Sequence, residues 1–374
     1  MIMMKVHGMA GVVVLAAAVL LAAVVAVAAA VPLVPVTDKD LESDASMWDL
    51  YERWCSVYAG SSDLAEKQRR FDVFKTNARQ INEFNKREDE SYKLALNQFS
   101  GLTEEEFNSG MYTGALPELG TGDNVSSSVG SSGGMTDDDD DKLLVTAAGN
   151  DDKVPAKWDW RRHGAVTPVK NQGQCGSCWA FSMVGSVEGI NAIKTGKLRT
   201  LSEQEVLDCS GAGTCKGGDP YKSFDHAMRP GLALDHQGNP PYYPAYVAEK
   251  KKCRFNAEKP VVKINSKRMM RNTNEAELLM RVSKQPVSVV VEASQAFSRY
   301  SKGVFTGPCG TNLNHAVLVV GYGTTSNGIN YWIVKNSWGK GWGENGYIRM
   351  KRNVGTKAGL CGIYRMPMYP IKNK

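Results

Sequence analysis

The stretch that decides the fold of this 374-residue chain is residues 172–182, which read Gln-Gly-Gln-Cys-Gly-Ser-Cys-Trp-Ala-Phe-Ser. Its two cysteines, Cys175 and Cys178, allow three interpretations: a redox pair, half of a zinc site, or a disulfide cysteine beside a nucleophile. A zinc site needs two further ligands at a matching spacing, but the chain has only five histidines and no second Cys-x-x-Cys. A redox pair is typical of a βαβ unit, and no such pattern precedes residue 175.

The third interpretation requires a thiol that ionises near neutral pH. The sequence predicts a helix over residues 177–195, ended by Gly196. Cys178 then lies where the helix begins, and a helix N-terminus favours the thiolate. We therefore expect Cys178 to be a nucleophile.

Such a thiol also needs a histidine base and a group that orients the imidazole. Among the histidines, only His315 opens an apolar, strand-like run, in Asn-His-Ala-Val. Asn336 ends a later predicted strand, and Trp338 is available to cover it from water. The residues thus predict a site made of Cys178, His315 and Asn336.

Helices precede strands in the second part of the chain. Ser202 and Glu205 have capping-box spacing, which predicts a helix start, and residues 272–284 are also helical in pattern. β-branched and aromatic runs bounded by Gly and Asn then predict strands at 287–293, 316–323, 331–338 and 346–352. This order indicates an α+β fold with two subdomains.

The first part of the chain is polar and helical in pattern over residues 45–108. Six of its residues are spaced by 4, 4, 3, 4 and 4 and so lie on one side of a long helix. They are Glu66, Arg70, Phe74, Asn77, Ile81 and Asn85. Thr103 and Glu106 have capping-box spacing for a short helix after it.

Residues 113–153 have the composition of a disordered, cleavable linker, with Gly/Ser runs and five consecutive Asp before Lys142. The glycosylation sequon of the chain begins at Asn124, in this linker. The five-Asp run is a solvated spacer or a processing site, and the sequence leaves both open. Residues 1–30 are apolar after a single Lys and predict a secretory signal peptide, with an uncleaved signal anchor as the alternative.

The formal net charge of +6 hides a division of the chain. Residues 154–374 carry 32 Lys and Arg against 14 Asp and Glu, whereas residues 1–153 carry 13 against 25. The two parts therefore have charges of +18 and −12 and attract each other. The basic part has no nucleic-acid motif beyond its charge, so we expect no specific nucleic-acid partner.

Residues 154–374 resemble papain and its cathepsin L-like relatives over their whole length. The motifs that carry the resemblance are Cys-Gly-Ser-Cys-Trp at 175–179, Asn-His-Ala-Val at 314–317, Lys-Asn-Ser-Trp-Gly at 335–339 and Trp-Gly-Glu-Asn-Gly-Tyr-Ile at 342–348. The six spaced residues of the first part match the helix motif of the family's inhibitory pro-segment. We call residues 45–112 the pro-segment and residues 154–374 the C-terminal domain.

The resemblance implies a cysteine endopeptidase made as a zymogen, with a helical subdomain and an antiparallel, barrel-like β subdomain. It implies that Cys178 is the nucleophile, His315 the general base and acid, and Asn336 the residue that holds the imidazole. Gln172 then donates to the oxyanion, and Trp338 covers the Asn–His contact. We expect a thiolate–imidazolium pair with a thiol pKa of roughly 3–4, the value known for papain.

The resemblance further implies three disulfides, which leave Cys178 unpaired among the seven cysteines of the C-terminal domain. They are Cys175–Cys215, Cys209–Cys253 and Cys309–Cys361. An eighth cysteine, Cys55, is expected to be a free, buried thiol in the pro-segment. No metal and no cofactor are implied.

For substrate binding, the resemblance implies that the backbone of Gly217 and Gly218 pairs with an extended peptide. The S2 pocket is expected to be lined by Asp219, Pro220, Val290, Leu313 and Met366. Its apolar members favour a P2 Leu, Val or Phe. Asp219 stands where relatives often have an aromatic residue, so the wall is expected to be more open or to tolerate a cation.

A second departure is Gly101, which replaces a pro-segment Asp that is thought to sense acid, so we expect an altered pH dependence of maturation. The expected partners are protein substrates, the chain's own pro-segment and cystatin-like inhibitors, and the expected state is a monomer. The signal peptide and disulfides favour the secretory pathway, with an extracellular, vacuolar or lysosomal destination.

Overall fold

The computed structural model describes residues 34–58, 64–109, 113–114, 154–236, 242–254, 260–271 and 273–373. The predicted signal peptide, the sequon at Asn124 and nearly all of the linker lie outside these residues. In the part that is described, no helix is both long enough and apolar enough to cross a membrane.

The pro-segment is built on two packed helices, α1 (Asp44–Tyr58) and α2 (Leu64–Asn85), followed by strand β1 (Tyr92–Leu94) and helix α3 (Glu104–Asn108). Tyr51 and Trp54 of α1 pack on Phe74 of α2 with ring centroids 5.1 and 5.2 Å apart. Thr103 and Glu106 form the predicted capping box at the start of α3. An aromatic core therefore fixes α2 against α1.

The helical subdomain centres on α4 (Cys178–Thr195), which is buried along almost its whole length. Gly196 ends this helix in the left-handed conformation, with φ of 70°, as the sequence predicts. Helix α5 (Glu203–Cys209) begins after Ser202, whose side chain accepts from the Glu205 N–H. Two short strands, β3 (Gly213–Thr214) and β4 (Gly217–Gly218), lead into helix α6 (Pro220–Met228).

The second subdomain is one sheet. Its strands are β2 (Trp158–Asp159), β5 (Ser266–Met269), β6 (Val287–Val291), β7 (Tyr300–Phe305), β8 (His315–Thr324), β9 (Asn330–Lys335), β10 (Tyr347–Lys351) and β11 (Met368–Ile371). The order is β1-β7-β10-β9-β8-β6-β11-β5, with β2 beside β8. Two further helices, α7 (Glu275–Lys284) and α8 (Gln295–Ser298), interrupt the strands.

The predicted α+β class with two subdomains is confirmed, and two details qualify the description of the sheet. Most strand pairs are antiparallel, but β7 and β10 are parallel, with Arg349 opposite Val304. The sheet is open rather than closed, and the pro-segment strand β1 pairs with the outer edge of β7. Pairing in this way satisfies the backbone groups that an edge strand leaves free.

Two hydrophobic clusters correspond to the two subdomains. One surrounds α4, with Trp179, Val184 and Met183 at its centre. The other joins the sheet to the pro-segment, so that Phe74 belongs to the same apolar core as Trp342. The site lies between the clusters, because α4 and β8 each begin there.

Candidate active site

Cys178 is the first residue of α4, so its thiol lies at the positive end of the helix dipole. It is free and fully buried. Cys175 is bonded to Cys215 and is therefore neither a redox partner nor a zinc ligand for Cys178. The remaining pairs are Cys209–Cys253 and Cys309–Cys361, as the resemblance implied. Cys55 is the other free cysteine among the described residues, and it is buried in α1.

His315 opens β8, and its imidazole is held on two sides. Its Nε2 lies 2.8 Å from Oδ1 of Asn336. The Trp338 ring stacks on the imidazole with centroids 4.5 Å apart and planes inclined by 20°. Nδ1 is buried without a hydrogen-bond partner among the described residues, which leaves it available for a proton exchanged with the thiol.

Burial opposes the charged forms of both members of this pair. It raises the pKa of the Cys178 thiol to about 11, and backbone N–H groups, chiefly that of Ala316, only partly oppose the rise. Burial also lowers the pKa of His315 to about 4, against the opposing effect of the Asn336 hydrogen bond. Desolvation thus favours the neutral groups while the cleft is covered, and the thiolate–imidazolium pair stays a prediction for the open cleft.

The cleft over the thiol is filled by the chain that follows the pro-segment helices. The Gly114 N–H donates to the carbonyl of Asn314 at 2.8 Å. A Cβ on Gly114 would lie 3.4 Å from the Cys178 Sγ and 2.9 Å from the carbonyl oxygen of Gly176. Thr113, beside it, is buried. A substrate carbonyl has no room to reach the thiol while these residues are in place.

Gln172 is fully buried and fixed by hydrogen bonds at both ends of its amide. Its Nε2 donates to the Cys175 carbonyl at 2.9 Å, and its Oε1 accepts from the Ser337 hydroxyl at 2.6 Å. The Ser337 N–H in turn donates to Oδ1 of Asn336 at 2.7 Å. Ser337 therefore connects Gln172 to Asn336. It belongs to the Lys-Asn-Ser-Trp-Gly motif, but no local sequence pattern indicates this connection.

A buried cluster of charges beside the site was also missed. Lys170 lies 3.0 Å from Glu188 and 2.6 Å from Glu203. The ammonium of Lys335, the residue before Asn336, donates to the Thr167 hydroxyl at 3.0 Å. Burial lowers the pKa of Lys335 to about 8. This network ties the end of β9 to the helical subdomain, and no local sequence pattern signals it.

Gly217 and Gly218 lie in β4, on the floor of the cleft, but the reasons for glycine differ. Gly217 has φ of 126°, a conformation that other residues rarely adopt. A Cβ on Gly218 would lie 2.7 Å from the Trp179 ring. Packing against Trp179 therefore demands glycine at 218, and the pairing of this backbone with a peptide stays a prediction.

The Asp219 carboxylate is occupied by the fold. Its Oδ1 accepts from the N–H groups of Tyr221 at 2.8 Å and Lys222 at 3.0 Å, which caps α6. Pro220 follows at the first helical position. Oδ1 of Asp219 is thus engaged in capping, and the expectation of a more open S2 wall or of tolerance for a cation stays a prediction. Val290 and Met366 are buried and pack with Leu313 in the apolar cluster around α4.

The six spaced residues of α2 fasten the helix to the chain that follows it. Arg70 pairs with Glu66 at 2.7 Å and with Glu106 at 2.5 Å. Asn77 donates to the Ser100 carbonyl at 2.8 Å. Asn85 exchanges two hydrogen bonds with the backbone of Leu94, and Phe74 and Ile81 are buried.

The space beside Gly101 is filled by Trp54. A Cβ on Gly101 would lie 2.8 Å from the Trp54 ring, and the ring Nε1–H is held by the carbonyl of Asn97 at 2.8 Å. A larger side chain at position 101, such as that of Asp, would therefore clash with the Trp54 ring in this arrangement.

Comparisons with known proteins agree with this geometry. The model of the papain family cysteine protease matches residues 154–371, and that of the cathepsin propeptide inhibitor domain (I29) matches residues 51–107. Thiol protease SEN102 from Hemerocallis sp. is 45% identical over 344 residues, which cover 91% of this chain and 90% of that protein. Vignain from Vigna mungo is 45% identical over 349 residues, covering 90% and 88%.

Solved structures of proforms are also similar. The recombinant stem bromelain precursor has a TM-score of 0.73 and 42% identity, covering 88% of this chain and 99% of that one. The proform of the Amb a 11 cysteine protease, a ragweed pollen allergen, has a TM-score of 0.74 and 35% identity, covering 92% and 100%.

Proposed function

The chain belongs to the papain family of cysteine proteases, and on that premise we propose that Cys178 and His315 carry its peptide hydrolysis once the pro-segment has left the cleft. The observation that carries the proposal is the free thiol at the start of α4, beside the 2.8 Å His315–Asn336 contact. Water then replaces Gly114 over the thiol, and the desolvation that opposes the charged forms of the pair is relieved. The helix N-terminus and the imidazolium favour the thiolate.

In the first chemical step the Cys178 sulfur attacks the scissile carbonyl carbon and its π electrons move to oxygen. His315 gives its proton to the leaving amine, and an acyl-enzyme remains. In the second step His315 takes a proton from water, which attacks the thioester and releases the acid. Asn336 keeps the imidazole oriented through both steps, and Trp338 excludes water from their hydrogen bond.

The negative oxygen of each tetrahedral intermediate needs donors that are already in place. We assign this role to the Gln172 side chain and the backbone N–H of Cys178. The bond from Ser337 to Oε1 supports the assignment, because it fixes which end of the amide is the donor. Removing one such donor typically lowers the rate by about 10²–10³.

We further propose that the S2 pocket takes an apolar side chain. Val290, Leu313 and Met366 supply an apolar wall, and Oδ1 of the Asp219 carboxylate is engaged in capping α6. Leu, Val or Phe at P2 would bury apolar area there, whereas Arg would leave its charge unpaired.

The pro-segment is proposed to be the intramolecular inhibitor, with removal of residues 1–30 on entry to the secretory pathway and cleavage between Leu143 and Val154 on maturation. We also propose that the mature enzyme resides outside the cell or in a vacuole or lysosome. It is expected to be a monomer and to be recognised by cystatin-like inhibitors. The three disulfides support an oxidising route.

The test is to incubate the full chain in acid, determine the new N-terminus, and assay a fluorogenic P2 library on the same sample. We expect apolar P2 residues to dominate, and we expect Cys178→Ala to process neither itself nor the library. Turnover by Cys178→Ala would contradict the assignment of the nucleophile. A profile dominated by P2 Arg would contradict the apolar S2 pocket.

A further inference from the structure

Arg299 is a buried cation at the junction of the pro-segment and the C-terminal domain. It follows α8, directly before β7, and only 4% of it is exposed. Arginine is rarely buried to this extent unless it is paired. The partners of the Arg299 side chain therefore indicate its role.

The partners of the guanidinium come from the pro-segment. Nη1 donates to Oε1 of Gln80 at 2.8 Å, and Nη2 donates to Oδ1 of Asn77. The two amides are three residues apart on α2 and so lie on one face of the helix. The Arg299 carbonyl also accepts from the Ala95 N–H at 2.9 Å. The pro-segment thus holds both the backbone and the side chain of one residue.

The amide of Asn77 is fully committed by this arrangement. Its Nδ2 donates to the carbonyls of Ser100 and Leu102, at 2.8 and 3.1 Å. Those two bonds orient the amide so that its oxygen meets the guanidinium. The folded pro-segment therefore presents a preformed acceptor, and a misfolded one does not.

The charge itself has no carboxylate partner within the described residues. Glu104 attracts it only through space, and burial lowers the pKa of Arg299 to about 10. Its Nε has no hydrogen-bond partner there. A buried charge of this kind is tolerated only where its hydrogen bonds are satisfied, so loss of either amide is costly.

We propose that Arg299 is a recognition residue by which the C-terminal domain selects its own folded pro-segment, through hydrogen bonds to the amide oxygens of Asn77 and Gln80 on one face of α2. The proposal deepens the proposed function and rests on it only in taking the pro-segment to be the inhibitor. Because the acceptors are neutral amides, this contact does not titrate in acid. Acid must release the pro-segment through other groups.

The test uses the full chain carrying Cys178→Ala, so that no proteolytic activity enters the measurement. Hydrogen exchange of the β1 amides, residues 92–94, reports whether the pro-segment is docked. The variants are Arg299→Met, Arg299→Lys and Gln80→Glu. The matched control is Arg79→Met, because Arg79 is exposed on the same helix and has no hydrogen bond or ion pair among the described residues.

We expect Arg299→Met to accelerate exchange in β1 by about tenfold or more, since two bonds from a charged donor are lost. Arg299→Lys keeps the charge but cannot reach both amides, and gives a smaller effect. Arg79→Met leaves exchange unchanged. Circular dichroism of each variant verifies that the C-terminal domain is folded.

Gln80→Glu tests whether the charge of Arg299, and not only the shape of its contact with α2, contributes to docking of the pro-segment. Its carboxylate pairs with Arg299 and slows exchange by about fivefold at pH 7 relative to the parent. The gain is lost below about pH 4, where the carboxyl is protonated. The charged groups that line the same cavity as Arg299 are Arg79, Glu83, Lys86, Arg87, Glu90, Glu104 and Glu292. The parent and the Gln80→Glu variant both contain these groups, so their titration does not alter the ratio of the two exchange rates.

Unchanged exchange in Arg299→Met overturns the proposal. A Gln80→Glu effect that persists unchanged to pH 3 overturns the charge recognition as well. Because the readout needs no catalysis, a failure of the assigned mechanism leaves these results interpretable. If the processed parent hydrolyses peptides but exchange in the Arg299→Met variant is unchanged, the role of Arg299 is refuted and the proposed function is not.

Discussion

Gly303 of β7 is a point of close backbone approach between the pro-segment and the C-terminal domain. Its φ is 95°, and a Cβ there would lie 2.3 Å from the Ser91 carbonyl oxygen and 2.7 Å from the Tyr92 Cα. Both neighbours are backbone atoms, which cannot turn aside as a flexible side chain could. Gly303→Ala is therefore incompatible with the pairing of β1 and β7.

The size of the effect follows from the hydrogen bonds at this junction. The Val304 N–H donates to the Ser91 carbonyl at 2.8 Å, the Ser91 hydroxyl donates to the Val304 carbonyl at 2.6 Å, and the Ala95 N–H donates to the Arg299 carbonyl at 2.9 Å. At about 1 kcal/mol each, their loss amounts to about 3 kcal/mol. This corresponds to a roughly hundredfold larger population of the open form.

The assay is the rate of activation of the full chain at fixed pH, followed with a fluorogenic substrate. Gly303→Ala should activate faster by up to the same factor of roughly a hundred. Gly328→Ala is the matched control, because Gly328 has φ of 85° but nothing within 4 Å of its Cβ position. It carries comparable backbone strain without the clash. Equal activation rates for Gly303→Ala and the parent would refute the view that β1 pairing keeps the cleft closed.

Three further predictions concern the site and its surroundings. Gln172→Ala should lower kcat of the processed enzyme by about 10²–10³ with a small change in KM, measured by steady-state kinetics. Asp219→Ala should reduce the free energy of unfolding of the processed enzyme by about 1 kcal/mol, from lost capping, and leave the P2 ranking unchanged in a substrate library. Gly101→Asp should raise the rate of activation of the full chain at every pH tested, because the Asp side chain displaces Trp54. A pH profile that shifts while the maximal activation rate is unchanged would instead support acid sensing at this position.

Features that depend on near neighbours in the chain could be predicted from the sequence. The helix over 178–195, its end at Gly196 and the capping by Ser202 and Thr103 are signalled within a few residues. The six-residue pattern of α2 likewise needs only the helical repeat. The family motifs brought Cys178 and His315 together as candidates, although nothing local joins α4 to β8.

Features that depend on the distant part of the chain could not be predicted. Arg299 has polar partners more than 200 positions away, in the pro-segment. The role of Ser337 is visible only when Gln172 and Asn336 lie on either side of it. The raised pKa of the Cys178 thiol follows from its burial, which composition and spacing do not report. The capping role of Asp219 was not predicted, because a capping residue and a pocket residue can have the same local sequence.

The most direct test of the account is the pH dependence of Cys178 alkylation by iodoacetamide, before and after removal of the pro-segment, read by peptide mass spectrometry. The closed chain should react slowly at every pH, because Gly114 covers the thiol and burial raises its pKa. The processed enzyme should react rapidly, with a rate that is nearly independent of pH above about pH 5. Equal rates at pH 7 for the closed and processed forms would contradict the account.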